Sequence, residues 1–237
     1  MKKKIVLITT ITITGLLLIV SSCKKKTPDI DPPTMLLIGD NPLIQSLPAV
    51  AGAGTFTDPG AVASDVDDGN LNSSITASST VNPNLKGSYT ITYKVSDAAG
   101  NSNSITRTVN IVNDADPLAG TYSVSDYLDY PISTPTAYTE TVTAHSTINN
   151  QLNVTKFGGY TNANVYFIAT LTSDTTATIS VPTQDLTAIG HKFENALQQS
   201  TAVIATATSS FSVTAITMKY KQTDASSHVS QANYTKQ

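Results

Sequence analysis

The sequence predicts an all-β chain: a small β-sandwich followed by an antiparallel meander that forms a small barrel or a second sandwich. Three observations carry that expectation. Charged residues make up only 13% of the 237 residues and there is no Trp, while Thr, Ser and Asn fill the polar positions. Thr and Val suit pleated, half-buried strands, and Ser, Asn, Asp and Gly supply turns. Residues 88–96, SYTITYKVS, place Tyr89, Ile91, Tyr93 and Val95 on one side and Thr90, Thr92 and Lys94 on the other, the period of a strand with one buried face. Beyond Asp116, about eight short apolar-rich runs are separated by turn residues.

The first 22 residues read as a leader. Lys2, Lys3 and Lys4 precede an uncharged run over residues 5–20. That run is short for a membrane span, which needs roughly 20 predominantly apolar residues. It ends in Val20-Ser21-Ser22-Cys23, and small residues ahead of a cysteine resemble a lipobox, in which the thiol is acylated and the chain is cut before it. The alternative is a plain signal peptide or anchor beside a chance cysteine. Cys23 is the sole cysteine, so there is no intramolecular disulfide framework and each domain must rely on its core. Lipidation explains its presence, since buried acyl chains contribute roughly 0.8 kcal/mol per methylene. The expected location is the cell envelope, lipid-anchored at the outer membrane, with either face open.

Removing the leader takes three of the 14 basic residues and none of the 17 acidic ones, leaving a net charge of −6. Lys24, Lys25 and Lys26 would sit beside the lipid and meet anionic headgroups. The acidic remainder argues against nucleic acid as a partner, because phosphate binding needs a basic surface. Residues 23–33 form the lipidated cysteine and a Pro-rich tether, whose ten residues after Cys23 reach at most about 33–36 Å.

Residues 34–114 are expected to form the sandwich. The strand at 88–96, the turn Asp97-Ala98-Ala99-Gly100-Asn101 and a second strand at 104–112 make a hairpin. The segments GDNPLIQSL (39–47), TFTDPGAVASDVDDGNL (55–71) and LKGSYTITYKVSDAAGNSNSITRTVNIV (85–112) resemble the bacterial Ig-like domain first named from a pesticidal crystal protein (DUF5011-type). The resemblance implies a small β-sandwich serving as a spacer or adhesive module. The stretch through Gln45, Ser46 and residues 49–54 departs from the family's alternating apolar pattern, which leaves that edge weaker. Asp65, Asp67 and Asp68, near Asp58 and Asn70, form the densest group of oxygen ligands. Calcium uses 6–8 oxygens, but the spacing is not that of an EF-hand, and an Asp-Gly turn bonding its own backbone is the competing reading.

Residues 116–237 are expected to be a barrel-like all-β domain, with strands near 120–125, 138–144, 151–157, 163–171, 177–182, 202–208, 210–222 and 229–235. The opening Leu118-Ala119-Gly120-Thr121-Tyr122 and the closing Tyr234-Thr235-Lys236 resemble lipocalin-like C-terminal domains of Bacteroidetes lipoproteins. Residues 186–199 carry Leu186, Ile189, Phe193 and Leu197 near one helical face, so a short helix or a capping loop is expected there.

The chemistry-bearing residues are sparse. His145, His191 and His228 share no metal-ligand spacing. No Gly-x-Ser-x-Gly elbow occurs, and the acids beyond Asp116 are scattered. Tyr127, Tyr130 and Tyr160 fall in expected loops, where aromatic rings with polar tips serve binding surfaces. The chain is therefore expected to be a non-catalytic envelope lipoprotein with no cofactor, Ca²⁺ aside. Its distal β-domain would bind glycan or protein. The rival readings are a carrier of a small apolar ligand and a structural subunit of an envelope complex; the oligomeric state is left open.

Overall fold

The computed structural model describes residues 27–127, 134–160, 163–173, 176–182, 184–186, 191–195, 200–207, 210–222 and 228–237. The expected signal peptide, Cys23 and Tyr130 lie outside the described residues. Among those that are described there is no α-helix; strands and three short 3-10 turns carry the fold.

The first unit packs two sheets. One orders β1 (Thr34–Leu37), β3 (Ala61–Asp65) and β4 (Gly69–Asn70) side by side, all antiparallel. The other contains β2 (Leu43–Ser46), β5 (Thr76–Ser79), β6 (Gly87–Ser96) and β7 (Ser102–Val112) in the order β2-β7-β6-β5, with β2 parallel to β7. The alternation read in residues 88–96 holds: Ile91, Tyr93 and Val95 are buried, and they meet Met35, Leu47, Ala63, Val109 and Ile111 in one core. Residues 49–54 form no strand.

Arg107 explains why the sequence between the strands reads as it does. Among the described residues it is the largest fully buried side chain, and it points from β7 into the sandwich. Its Nη2 donates to the carbonyls of Ile38 at 2.6 Å and Gly60 at 3.0 Å, its Nη1 to that of Asp40, and its Nε to the Tyr93 hydroxyl at 3.3 Å. Asp58 accepts from the Tyr93 hydroxyl at 2.6 Å and from the Gly60 amide at 3.0 Å, and its carboxylate lies 3.7 Å from Arg107 Nε. The Thr-Asp-Pro-Gly-Ala run is thus a turn folded around a buried guanidinium. Gly60, at φ +86°, adopts a backbone that L side chains resist.

The second unit is a closed barrel. Its strands are β8 (Gly120–Tyr127), β9 (Thr136–Ala144), β10 (Gln151–Val154), β11 (Val165–Ser173), β12 (Thr176–Ser180), β13 (Gln184–Leu186), β14 (His191–Asn195), β15 (Ser200–Ala207), β16 (Ser210–Gln222) and β17 (His228–Lys236). Hydrogen-bonded pairs run β8-β9-β10-β11-β12-β15-β16-β17 and return to β8, all antiparallel. The first and last strands zip together, Tyr122 opposite Lys236 and Val124 opposite Tyr234. Closure leaves the eight strands of the ring without an open edge of the kind that invites pairing with another chain. The interior packs Val124, Val142, Leu152, Phe167, Ile179 and Ile216. The 3-10 turns Asp116–Leu118 and Phe157–Gly159 add the buried Leu118 and Phe157. Tyr122 and Tyr234 meet edge to face at 5.9 Å, and the Tyr122 hydroxyl donates to the Leu118 carbonyl at 2.6 Å.

The expectation for residues 186–199 is corrected. The described residues of that stretch, Leu186 and His191–Asn195, are strand: β13 and β14 pair antiparallel, and β14 adds to the far end of β16 through Phe193, Glu194 and Asn195. β16 runs past β15 and presents open ladder positions at Tyr220–Gln222, and pairing there overrides the local helical period.

A hydrogen-bonded joint connects the two units. Asn113, buried between them, donates through Nδ2 to the carbonyls of His145 and Ile148, both at 2.9 Å. Its Oδ1 accepts from the amides of Ala115 at 3.0 Å and Asn150 at 2.9 Å. Asp114 and Asn149 pair reciprocally, amide to Oδ1 and Nδ2 to Oδ2, each at 2.8 Å. The sandwich side joins in, with the Asn149 amide on the Pro48 carbonyl, the Lys86 amide on the Ser146 carbonyl, and Lys86 Nζ on Asp116 at 2.5 Å.

Candidate functional site

The first candidate lies where the tether meets the sandwich. The turn between β6 and β7 is set by Asp97, whose Oδ1 accepts the Asn101 amide and whose Oδ2 accepts Asn101 Nδ2, both at 2.8 Å. Gly100, at φ +97°, closes that turn. Asn101 Nδ2 also reaches the carbonyls of Asp29 at 3.3 Å and Asp31 at 3.4 Å, and Asn103 Nδ2 donates to the Pro33 carbonyl at 2.8 Å. The end of the expected tether is thus fastened along the sandwich.

That docking brings Asp29 beside the Asp-rich turn. Oxygens of Asp29, Asp65 and Asp68 lie within 4.8 Å of one another. Each carboxylate already holds backbone: Asp65 accepts the amides of Asp67 and Asp68, Asp68 that of Ala98, and Asp29 that of Asp31. Two of the three sequence-expected residues, Asp65 and Asp68, therefore converge, and Asp67 is not in the group. The local Asp-Gly turn bonds exist as well, so these carboxylates serve the turn. The Asp31 amide lowers the Asp29 carboxyl, but partial desolvation and the charges of Asp65, Asp67 and Asp97 outweigh it and raise it above the ordinary carboxylate value. Asp97 is lowered on balance: burial pushes it up, and the bonds from Asn101, Gly100 and Ala99 bring it down further.

The tyrosines divide by position. Tyr127 ends β8 as a strand residue, half-buried and facing out of the barrel, not in a loop. Tyr160 follows the turn at Phe157–Gly159 and packs against the barrel core. Tyr122, Tyr138 and Tyr234 are interior, and burial raises the ionisation of all three far above the ordinary tyrosine value. His145 is a turn builder, its Nδ1 accepting the amides of Thr147 at 3.1 Å and Ile148 at 3.2 Å.

Two acids that the sequence left scattered, Asp126 and Glu140, both face the barrel interior and are buried. Asp126 pairs in register with Thr136, four residues from Glu140 on the same strand, or about 13 Å along it. Glu140 is held by the amides of Thr141, Thr155 and Lys156 at 3.0, 3.3 and 2.7 Å.

A shallow groove of about 270 Å³ lies on the outer face of β1 and β3, lined by Thr34, Leu36, Val62, Ser64, Asn70 and Asn72. Leu36 is 70% exposed there, directly opposite Val62 in the ladder.

Residues 49–111 match the family of bacterial surface protein Ig-like domains. That match falls within the sandwich and is broader than the crystal-protein kinship expected from the motifs. A comparison with curated proteins finds no match. Among solved structures, the lipoprotein BT2262 from Bacteroides thetaiotaomicron is 18% identical, with 86% of this chain and all of that one covered at a TM-score of 0.33. A Clostridium perfringens ZmpB fragment, containing CBM51-2 in complex with GlcNAc and INT domains, is 14% identical at a TM-score of 0.26. There 86% of this chain covers 44% of the other.

Proposed function

We propose that this protein is a non-catalytic, lipid-anchored outer-membrane protein, displayed at the cell surface, whose Ig-like sandwich carries a distal β-barrel for glycan or protein binding. The carrying observation is the placement of the two attachments. The tether is fastened at the β6–β7 turn, through Asn101 and Asn103, whereas the barrel joins at the opposite end of the same strands, through Lys86 and Asn113. β6 has ten residues, so the two attachments are separated by roughly 30 Å of strand. The family match supports a surface role for the sandwich, and Cys23 with Lys24–Lys26 supplies the anchor and the charge to hold it at a bilayer.

The barrel end away from the sandwich is formed by the ends of β8 and β16 and the starts of β9 and β17. Tyr127 stands at that end, and on this reading Tyr127, Tyr130 and Tyr160 contribute contacts. The test compares cells expressing the full chain with cells expressing it without residues 116–237, using binding to immobilised glycans and to extracellular matrix protein. Loss of binding with the deletion, at equal surface display, is expected. Binding that survives the deletion assigns the role to the sandwich and contradicts the proposal.

A further inference from the structure

Isolated apolar side chains on a surface need no explanation, but the two most exposed large ones among the described residues stand together. Val66, in the turn between β3 and β4, is 96% exposed, and Ile30, in the tether, is 77% exposed. Their sequence neighbours Asp65 and Asp29 bring carboxylate oxygens within 4.8 Å of each other. Both residues therefore lie at one end of the sandwich, beside the β6–β7 turn with its exposed Ala98 and Ala99.

The three segments are fastened to one another. The Ala98 amide donates to Asp68 at 2.7 Å, and Asn101 Nδ2 reaches the carbonyls on either side of Ile30, those of Asp29 and Asp31. The apolar tip is thus held in place before it meets any partner, which lowers the ordering cost of binding. Around it stand Asp29, Asp31, Asp65, Asp67, Asp68 and Asp97. An apolar centre with a charged rim suits shallow contact, because carboxylates do not enter a hydrocarbon core.

The length of chain before this end says which partner reaches it. Asp29 follows Cys23 by only six residues, which extend to at most about 20–22 Å. An acyl anchor on Cys23 keeps the tip near the headgroups, at high effective concentration. The three lysines between Cys23 and Asp29 offset part of the tip's negative charge. Another valine, Val50, is 68% exposed but lies at the barrel end of the sandwich, just past the Leu47 amide that bonds the Val112 carbonyl.

We infer that this tip is a second membrane contact: Ile30 and Val66 rest at headgroup depth in the bilayer that holds the acyl chains of Cys23. The inference rests on the lipid anchor proposed above. It turns a single-point attachment into a two-point one and so points the sandwich and the barrel away from the bilayer.

The test reconstitutes the lipidated full chain into vesicles of phosphatidylcholine and phosphatidylethanolamine. Acylation occupies the sole native thiol, so Val66→Cys and Val50→Cys each accept one environment-sensitive fluorophore. Lipids carrying a nitroxide near the headgroups serve as the quencher. The label at position 66 is expected to shift blue and to be quenched, and the label at position 50 to emit as in water. A label at Ala98→Cys reads the ratio of docked to undocked chains. Ile30→Ser with Val66→Ser is expected to lower that ratio roughly tenfold, as the loss of two partly buried aliphatic side chains implies. Co-sedimentation with the vesicles reads the acyl anchor separately. A chain that co-sediments while its label at position 66 stays in water overturns the tip contact and leaves the anchor standing. Equal quenching at positions 66 and 50, or an unchanged ratio in the double variant, overturns it too. A chain that does not co-sediment removes the anchor and this contact with it.

Discussion

Arg107 shows how one buried charge organises a unit without a disulfide. Its guanidinium meets three carbonyls, a tyrosine hydroxyl and a nearby carboxylate, so its desolvation is offset by a full set of acceptors. Arg107→Ala strands those acceptors, and a loss of about 3–5 kcal/mol is expected, the usual cost of removing one partner from a buried charged network. Denaturant unfolding of the sandwich checks it. Arg107→Lys should recover only part, because an ammonium cannot reproduce the planar fork. At the tether, Asp29 binds its proton more tightly in the folded chain than in the unfolded one. Its contribution to stability is therefore greatest at acid pH and is lost as pH rises through the raised value. Asp29→Asn is expected to flatten that part of the melting profile. Millimolar Ca²⁺ should raise the wild-type melting temperature at neutral pH and leave Asp29→Asn unchanged. A variant that responds to Ca²⁺ as wild type does would remove the trio from consideration as a cation site. The roles of Asp65 and Asp68 could be read from their spacing, but Asp29 could not. It lies 36 residues earlier in a segment that sequence reads as a free tether, and the Asn101 and Asn103 side chains, with the pairing of Thr34 to Ser64, bring it there.

At the scale of elements, period-two alternation carried most of the information. The β6–β7 hairpin, β8, β9, β16 and β17 all lie where the apolar pattern places them, because each has one face against a core. The β13–β14 hairpin was not legible, since its partner is the overhang of β16 and nothing within residues 186–199 encodes that overhang. The inward positions of Ser230 and Glu140 were not legible for a similar reason: a polar residue at an inward position breaks the pattern that identifies inward positions. The joint is the element on which the placement of the barrel rests. Asn113→Ala leaves the His145 and Ile148 carbonyls without their donor, at an expected cost of about 1–3 kcal/mol. Small-angle scattering should then show a broader distribution of inter-domain distances, with the circular dichroism of both units unchanged. An unaltered scattering profile would mean that Asp114, Asn149 and Lys86 hold the joint without Asn113.

At the scale of the whole molecule, order along the chain becomes order in space. The tether fastens to one end of the sandwich, and the barrel is bonded to the other. The closed ring of strands then presents its free end away from both. A lipid-anchored protein built this way holds its last domain clear of the bilayer, and the net charge of −6 expected of the whole processed chain disfavours its lying on anionic headgroups. The most direct test is protease treatment of intact cells, followed by blotting for the barrel, with Cys23→Ala as the unanchored control. The account predicts that the barrel is cleaved from intact cells expressing the wild-type chain and that Cys23→Ala abolishes cell association. A barrel that stays protected until the outer membrane is broken would contradict surface display and move the binding partner to the periplasm.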